Sequence, residues 1–265
     1  MAYAIVAAAC FAASTVGAIC GIGGGVIIKP VLDALGLFSV ATINALSGVT
    51  VLCMTGYNVV RDRLFDQEAY EITVGVPIVF GAGLGGLAGK QLYRAVAALF
   101  ADPDVAGACQ AVALGFITLG ALVYTLNKER ITTRRVTGAG ASLAIGGALG
   151  TVSSFLGIGG GPINLVVLYY FYGMDTRTAA QNSLYIILFS QCLSTGLALF
   201  SGDFSTMSAT MLVLVATCGV AGGVVGRALN RHLGPQQVDR LFMGVMVLVI
   251  VICAYNAVRL GGVLA

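Results

Sequence analysis

Apolar residues run through this chain in stretches of helical length, interrupted at intervals by glycine clusters, charged pairs or prolines. Read against those breakers, the runs fall near residues 1–20, 26–37, 39–60, 69–96 and 104–126, then near 136–156, 162–173, 177–200, 206–230 and 236–259. A polar linker over 127–135 divides the two sets. Several runs are long enough to cross a bilayer. Lipid offers no partner to unpaired backbone groups, so every run is expected to be helical.

The breaks repeat as well as the runs. Gly21-Ile22-Gly23-Gly24-Gly25 returns intact as Gly157-Ile158-Gly159-Gly160-Gly161. Asn44-Ala45-Leu46 answers Asn182-Ser183-Leu184, and the block from Gly85 to Arg94 answers the block from Gly222 to Arg231. Three matched blocks in one order predict an internal duplication, with repeat 1 over 1–126 and repeat 2 over 136–265 of a single transmembrane domain, 1–265. Composition agrees with that class. Hydrophobic residues make up 58% of the chain and charged residues 9%, an apolar load that a soluble core of this size cannot hide. The 37 glycines suit close helix packing in lipid.

Charge placement sets the expected topology. The linker, with Lys128, Arg130, Arg134 and Arg135, is the most basic loop and is expected in the cytoplasm. That choice puts Arg61 and Arg63 inside, and Asp102 with Asp104 outside. In the second half, Arg227, Arg231 and His232 stay inside, and Asp203 outside, only if 136–173 is a re-entrant hairpin rather than a kinked crossing. The fold expected is therefore all-α: a polytopic membrane protein of two inverted-topology repeats, each a glycine-broken re-entrant hairpin plus about three transmembrane helices. Both chain ends then lie outside. The first cation is Lys29, so residues 1–20 lack the basic start of a secretory signal and are read as part of the mature fold.

Glycine turns the chain where other residues cannot, and a half-helix that starts after such a turn points unpaired N–H groups and a positive dipole end inward. Gly23, Gly24 and Gly25, with Gly159, Gly160 and Gly161, are the candidate anion-facing ends; the plainer reading is close helix packing. Pro162 suits a first helical position and places one start at 162. Lys29, inside an apolar segment, is either an anion ligand or half of an ion pair with Asp33 one turn on. Asp33 is the one candidate proton carrier within the apolar region. Asn44, Ser47 and Thr50, and Asn164, Gln181, Asn182 and Ser183, offer uncharged donors near the breaks, which orient an oxyanion without gripping it. Interhelical hydrogen bonding is their alternative role. Tyr57, Asn58, Gln191 and Ser194 are candidates for the same path. Lys90 with Arg94, and Arg227 with Arg231, fall four apart at equivalent helix ends; they are either vestibule funnels, one set per side, or interface anchors.

Other chemistry lacks a sequence basis. The GxGxxG match at Gly81–Gly86 lies mid-span, without the strand a dinucleotide site requires. The seven cysteines include no CxxC pair, and His232 is the sole histidine, so no metal or cofactor is expected. No ATP-binding signature and no HExxH is present, and a membrane-embedded enzyme is disfavoured. A secondary transporter is the leading reading, with an anion channel as its alternative.

With both GIGGG blocks, the Asn-x-Leu blocks and the GGxxG[K/R]xLxR ends, the chain resembles the TauE/SafE family of sulfite exporters and sulfonate permeases over nearly its whole length. The resemblance implies a carrier of sulfur-containing anions such as sulfite or organosulfonates in the cell membrane; export is the expected direction, since an inside-negative potential favours it. It carries the family's glycine breaks onto Gly21–Gly25 and Gly157–Gly161, and its polar positions onto Asn44 and Asn182. Val26 stands where the second half has Pro162. The partners implied are that anion and the lipid bilayer, with a homodimer open and no nucleic acid.

Overall fold

Each apolar run forms a helix in the computed structural model, which describes residues 2–65, 72–100, 103–201 and 207–261. The order is α1 (Ala2–Cys20), α2 (Gly25–Leu35), α3 (Val40–Phe65), α4 (Ile72–Ala97) and α5 (Pro103–Asn127), then a 3-10 turn at Lys128–Arg130. The second half follows with α6 (Ala139–Phe155), α7 (Pro162–Tyr172), α8 (Thr176–Phe200), α9 (Ala209–Asn230) and α10 (Pro235–Gly261). These bounds match the sequence reading to within a few residues, and α7 begins at Pro162 as expected. The first residues of the run predicted from 69, the start of the run predicted from 206, and Asp102 and Asp203 lie outside the described residues. Six helices, α1, α3, α5, α8, α9 and α10, are long and apolar enough to cross a membrane. The chain is an all-helical polytopic membrane protein.

Backbone conformation marks the breaks. Among the described residues the only positive φ angles belong to glycines: Gly21 (71°), Gly23 (73°) and Gly36 (63°) in the first half, and Gly157 (68°), Gly159 (69°), Gly160 (150°) and Gly173 (64°) in the second. A side chain at these positions would strain the backbone. Gly36 and Gly173 end α2 and α7 as left-handed caps. The two breaks begin with the same wide turn, Ile22 N–H to the Gly17 carbonyl and Ile158 N–H to the Ser153 carbonyl, both 3.2 Å.

Each break folds the chain back rather than kinking it. After the first, Gly24 returns against the backbone of Ser14, and a Cβ at Gly17 would lie 2.6 Å from the Gly24 nitrogen. The end of α2 is held at the end of α10, where Arg259 donates to the carbonyls of Asp33 (3.2 Å) and Ala34 (2.6 Å) and Asn256 donates to Pro30 (2.9 Å). A cation on those last carbonyls also offsets the negative end of the helix dipole. The end of α7 is held at the stretch that precedes α6: Arg134 N–H bonds the Tyr170 carbonyl at 2.7 Å and Val136 N–H bonds Phe171 at 2.8 Å. Lys128 pairs with Asp239 at 2.5 Å, so the linker and the start of α10 share one end of the bundle. The α6–α7 hairpin starts and finishes at that linker end. The α1–α2 hairpin starts and finishes at the opposite end, beside the close of α10.

Glycine also sets which helices lie close. Gly146 and Gly150 of α6 pack on the backbone of Ile78 and Ala82, and Gly85 and Gly89 of α4 pack on Gly147 and Thr151. In the same way Gly222 and Gly226 of α9 pack on α1 at Phe11, Ser14, Thr15 and Ala18. Both pairs run parallel, with backbones in contact. Exchanging the halves maps α4·α6 onto α9·α1, α4·α8 onto α9·α3 and α10·α2 onto α5·α7, and all six pairs are in contact. The helices α3 and α8 cross at the centre, antiparallel, with Gly48 beside Thr195 and Gly56 beside Leu188.

A methyl group at Gly150 would run into the Ala82 carbonyl, whereas Gly140 has nothing within 4 Å. Gly150→Val is expected to destabilise the protein by about 1–3 kcal/mol or more, and Gly140→Val by far less. Thermal melting of the detergent-solubilised variants checks the difference.

Candidate functional site

The two glycine elbows meet at the middle of the bundle. A Cβ at Gly25 would strike the Ile158 carbonyl and lie 2.9 Å from Ser47 Oγ, and one at Gly161 would lie 3.0 Å from Val26 and 3.1 Å from Ile158. Ile187 of α8 wedges against both elbows: a Cβ at Gly23 would lie 3.2 Å from it, and one at Gly160 would collide with it. Two polar side chains fill space that a Cβ would take in the second elbow: the Asn44 amide lies on Gly157 and the Gln191 amide on Gly159. In the first elbow, Ala180 occupies the corresponding place against Gly21. Neither α2 nor α7 has a side-chain N-cap bond, so both half-helices present uncapped N-termini toward this junction.

Two cavities flank the junction, one toward each end of the bundle. The linker-side cavity, about 150 Å³, is lined by Ala18, Ile19, Asn58, Asp62, Thr176, Arg177, Ala180, Gln181, Leu184, Arg227, Asn230 and Arg231, among others. The opposite cavity, about 170 Å³, is lined by Ala41, Asn44, Ala45, Gly48, Lys90, Tyr93, Arg94, Ser154, Gly157, Gln191, Ser194, Thr195 and Ala198. The linker-side cavity takes the end of α3 with the start of α8, and the opposite cavity takes the start of α3 with the end of α8. Each has one basic pair among its lining residues, Arg227 with Arg231 or Lys90 with Arg94.

The other residues singled out from sequence divide into three groups. Asn44, Gln181, Asn58, Gln191 and Ser194 line the cavities; Asn44 Oδ1 and Gln181 Oε1 have no hydrogen-bond partner. Ser47, Asn164 and Ser183 are buried at the core, where Ser47 Oγ, Ser183 Oγ and both amide atoms of Asn164 are without hydrogen-bond partners. Asn182 instead donates to the Thr178 carbonyl at 2.9 Å, a bond within its own helix, and Thr50 likewise bonds Leu46 at 2.8 Å. Lys29 bonds Asp33 at 3.1 Å, both nearly fully buried, and lines neither basic cavity. Gly23, Gly24, Gly25, Gly159, Gly160 and Gly161 are buried and line neither of these two cavities; the elbows pack directly on each other, where the sequence led us to expect a pocket between them. Tyr57 accepts a hydrogen bond from Arg61 at 2.5 Å, away from both cavities.

Sequence reasoning missed Asp62, which is buried and pairs with Arg227 across α3 and α9. It lies one helical turn beyond Asn58 and therefore on the same face, a signal masked by its two arginine neighbours in Arg61-Asp62-Arg63. Asp175 was also unremarked. It caps α8 at the rim of the linker-side cavity, accepting from Arg177 N–H at 3.1 Å and Thr178 N–H at 3.4 Å. Burial pushes its carboxyl up, but bonds from Thr178 and the backbone amides outweigh this and hold it below the ordinary carboxylate range. A lowered value in the folded state adds stability above the ordinary carboxylate range and loses it as pH falls. Asp175→Ala is therefore expected to cost about 1 kcal/mol near neutrality, with the gap to wild type narrowing in acid, as melting curves across pH would record.

Comparison with known families supplies the identity that this arrangement suggests. Residues 6–252 match the family described as "Sulfite exporter TauE/SafE". No curated protein and no solved structure matches the chain. With an all-helical membrane fold, two glycine-broken hairpins and a match over nearly its whole length, the chain belongs to the sulfite exporter TauE/SafE family.

Proposed function

We propose that the protein is a secondary transporter that exports a sulfur-containing anion, such as sulfite or an organosulfonate, across the cell membrane by alternating access. Repeats 1–126 and 136–265 are inverted relative to each other, and the linker 127–135 is cytoplasmic. The observation that carries the reading is the pair of matched cavities, one at each end of the bundle, with both glycine elbows closing the space between them.

Charge supports the orientation. Arg61, Arg177, Arg227, Arg231 and Arg240 join the linker cations at the linker end, against Lys90, Arg94 and Arg259 at the other. This is the asymmetry expected of a cytoplasmic linker. An inside-negative potential then drives an anion outward without a further energy source, each elementary charge being worth about 2.3 kcal/mol per 100 mV.

The chemistry of the path follows from its lining. Basic pairs raise the local anion concentration in each vestibule. Deeper in, the uncharged Asn44, Ser47, Gln191, Gln181 and Ser183 replace part of the hydration shell through amide N–H and hydroxyl donors, the partnerless hydroxyls of Ser47 and Ser183 among them. The anion occupies the junction when the elbows part, held by two uncapped half-helix N-termini at Gly23–Gly25 and Gly159–Gly161. Rocking of one repeat against the other moves the closure from one side of the anion to the other. Asn164, beside the start of α7, supplies further donors, Asn182 braces α8 internally through Thr178, and Lys29 with Asp33 anchors α2; Asp33 remains the candidate for proton coupling.

Purified protein in liposomes is expected to release loaded sulfite faster under an outward-directed electrical driving force. Asn44→Leu combined with Gln191→Leu is expected to cut that flux by about tenfold or more, given about 1–2 kcal/mol for each lost polar contact. Undiminished flux in a well-folded double variant would sink the site assignment; no flux in wild type would sink the transport reading.

A further inference from the structure

Val112, Phe116, Leu119, Val123 and Leu126 follow one another along α5 at spacings of four and three, and all are exposed, Phe116 at 71% and Leu126 at 64%. That spacing sets them on one face of the helix. In a membrane protein such a face is covered by acyl chains or by another helix. The chemistry at its linker end decides between the two. Arg130 comes four residues after Leu126, and Arg134 and Arg135 follow on the linker; all three are exposed. None of them pairs with a carboxylate among the described residues, whereas Lys128 is committed to Asp239.

The arginines stand on a fixed support. Arg134 N–H and Val136 N–H bond the Tyr170 and Phe171 carbonyls at 2.7 and 2.8 Å, so the backbone of the linker is pinned to the last turn of α7. Tyr124 of α5 meets Tyr170 edge to face with ring centroids 6.3 Å apart, and Tyr170 meets Phe171 in the same way at 4.9 Å. Tyrosines at the end of a span suit the headgroup level, where the ring is in apolar surroundings and the hydroxyl is wet. Apolar stripe, aromatic shelf and exposed cations thus succeed one another toward the linker end, in the order in which a phospholipid presents acyl chain, glycerol and phosphate.

We propose that this face of α5 and the linker bind an anionic phospholipid of the linker-side leaflet, with acyl chains along residues 112–126 and the phosphate on Arg130, Arg134 and Arg135. Guanidinium groups suit phosphate oxygens, and each cation near an anionic headgroup adds to the attraction. A second copy packed on the same stripe about a twofold axis along the membrane normal would instead set arginines against arginines at one depth, which charge repulsion opposes. The proposal needs the membrane fold and not the transport reading. It also gives the linker a second role: a lipid that holds the arginines steadies the backbone donors on the end of α7, and with them the α6–α7 hairpin.

The test places the full chain in phosphatidylcholine nanodiscs and titrates in a photoreactive phosphatidylglycerol, with labelled peptides mapped afterwards. Label is expected on residues 112–136 and 170–171. Apparent affinity is expected to fall about fivefold for each of Arg130→Gln, Arg134→Gln and Arg135→Gln, and Arg135→Lys should retain most of it. These exposed substitutions leave the backbone bonds to α7 in place, so the variants keep the fold. Phosphatidylglycerol should raise the melting midpoint of wild type more than that of the triple variant, and glycerol phosphate, which lacks chains, should not compete. Label spread evenly over the linker-side ends of α8, α9 and α10, or unchanged affinity in the triple variant, overturns the proposal in favour of a diffuse attraction to the basic face. Competition by glycerol phosphate at equal potency overturns the lipid assignment. Disulfide-linked dimers through Leu126→Cys in a cysteine-free background, with no lipid label on the stripe, give the face to a second copy instead.

Discussion

Everything in this structure depends on backbone meeting backbone at the bundle centre, where Gly25 lies against the Ile158 carbonyl. No residue with a Cβ permits that approach. Neighbouring glycines, Gly21 and Gly23 in one elbow and Gly157 and Gly159 in the other, reverse the chain within a few residues, through left-handed angles that only glycine adopts freely. Two short half-helices therefore end their climb from opposite faces at a shared point. The surrounding helices are arranged to hold the point closed: α8 inserts Ile187 between the elbows, and α3 brings Asn44 and Ser47 to their sides.

Closure by small contacts rather than by a thick plug has a mechanical consequence. The elbows are glycine loops pressed on aliphatic groups, with no ion pair across them among the described residues, so separating them costs little compared with breaking a charged bridge. The charged ties lie elsewhere. Lys29 with Asp33 stiffens α2, Arg259 fixes the end of α2 to α10, and Arg227 with Asp62 joins α9 to α3. Ser47, Asn164, Ser183 and Gln181 are among the residues with partnerless buried polar atoms. Leaving such groups unpaired in a dry interior is costly.

Much of the fold was legible because lipid narrows the choices: apolar runs must be helices, and glycine clusters between them must be breaks. The start of α7 at Pro162 followed from the proline itself, and the hairpin reading followed from where Arg227 and Arg231 had to lie. The Lys29–Asp33 pair was visible in i, i+4 spacing, whereas its near-complete burial is something sequence does not record. Packing between the elbows was not legible. A glycine-rich turn reads the same whether it borders an open pocket or a neighbouring carbonyl, and here the space fell on either side of the elbows instead of between them. Asp62 was hidden for a different reason, since an acidic residue between two arginines looks like a solvated loop until α9 is placed beside it.

Sided chemical labelling tests the central arrangement most directly. In a cysteine-free background, Asn230→Cys reports the linker-side cavity and Thr195→Cys the opposite one. If the elbows close the space between two vestibules that open to opposite faces, a membrane-impermeant thiol reagent modifies Asn230→Cys only from the linker side and Thr195→Cys only from the other. Modification of both from one face would contradict the account.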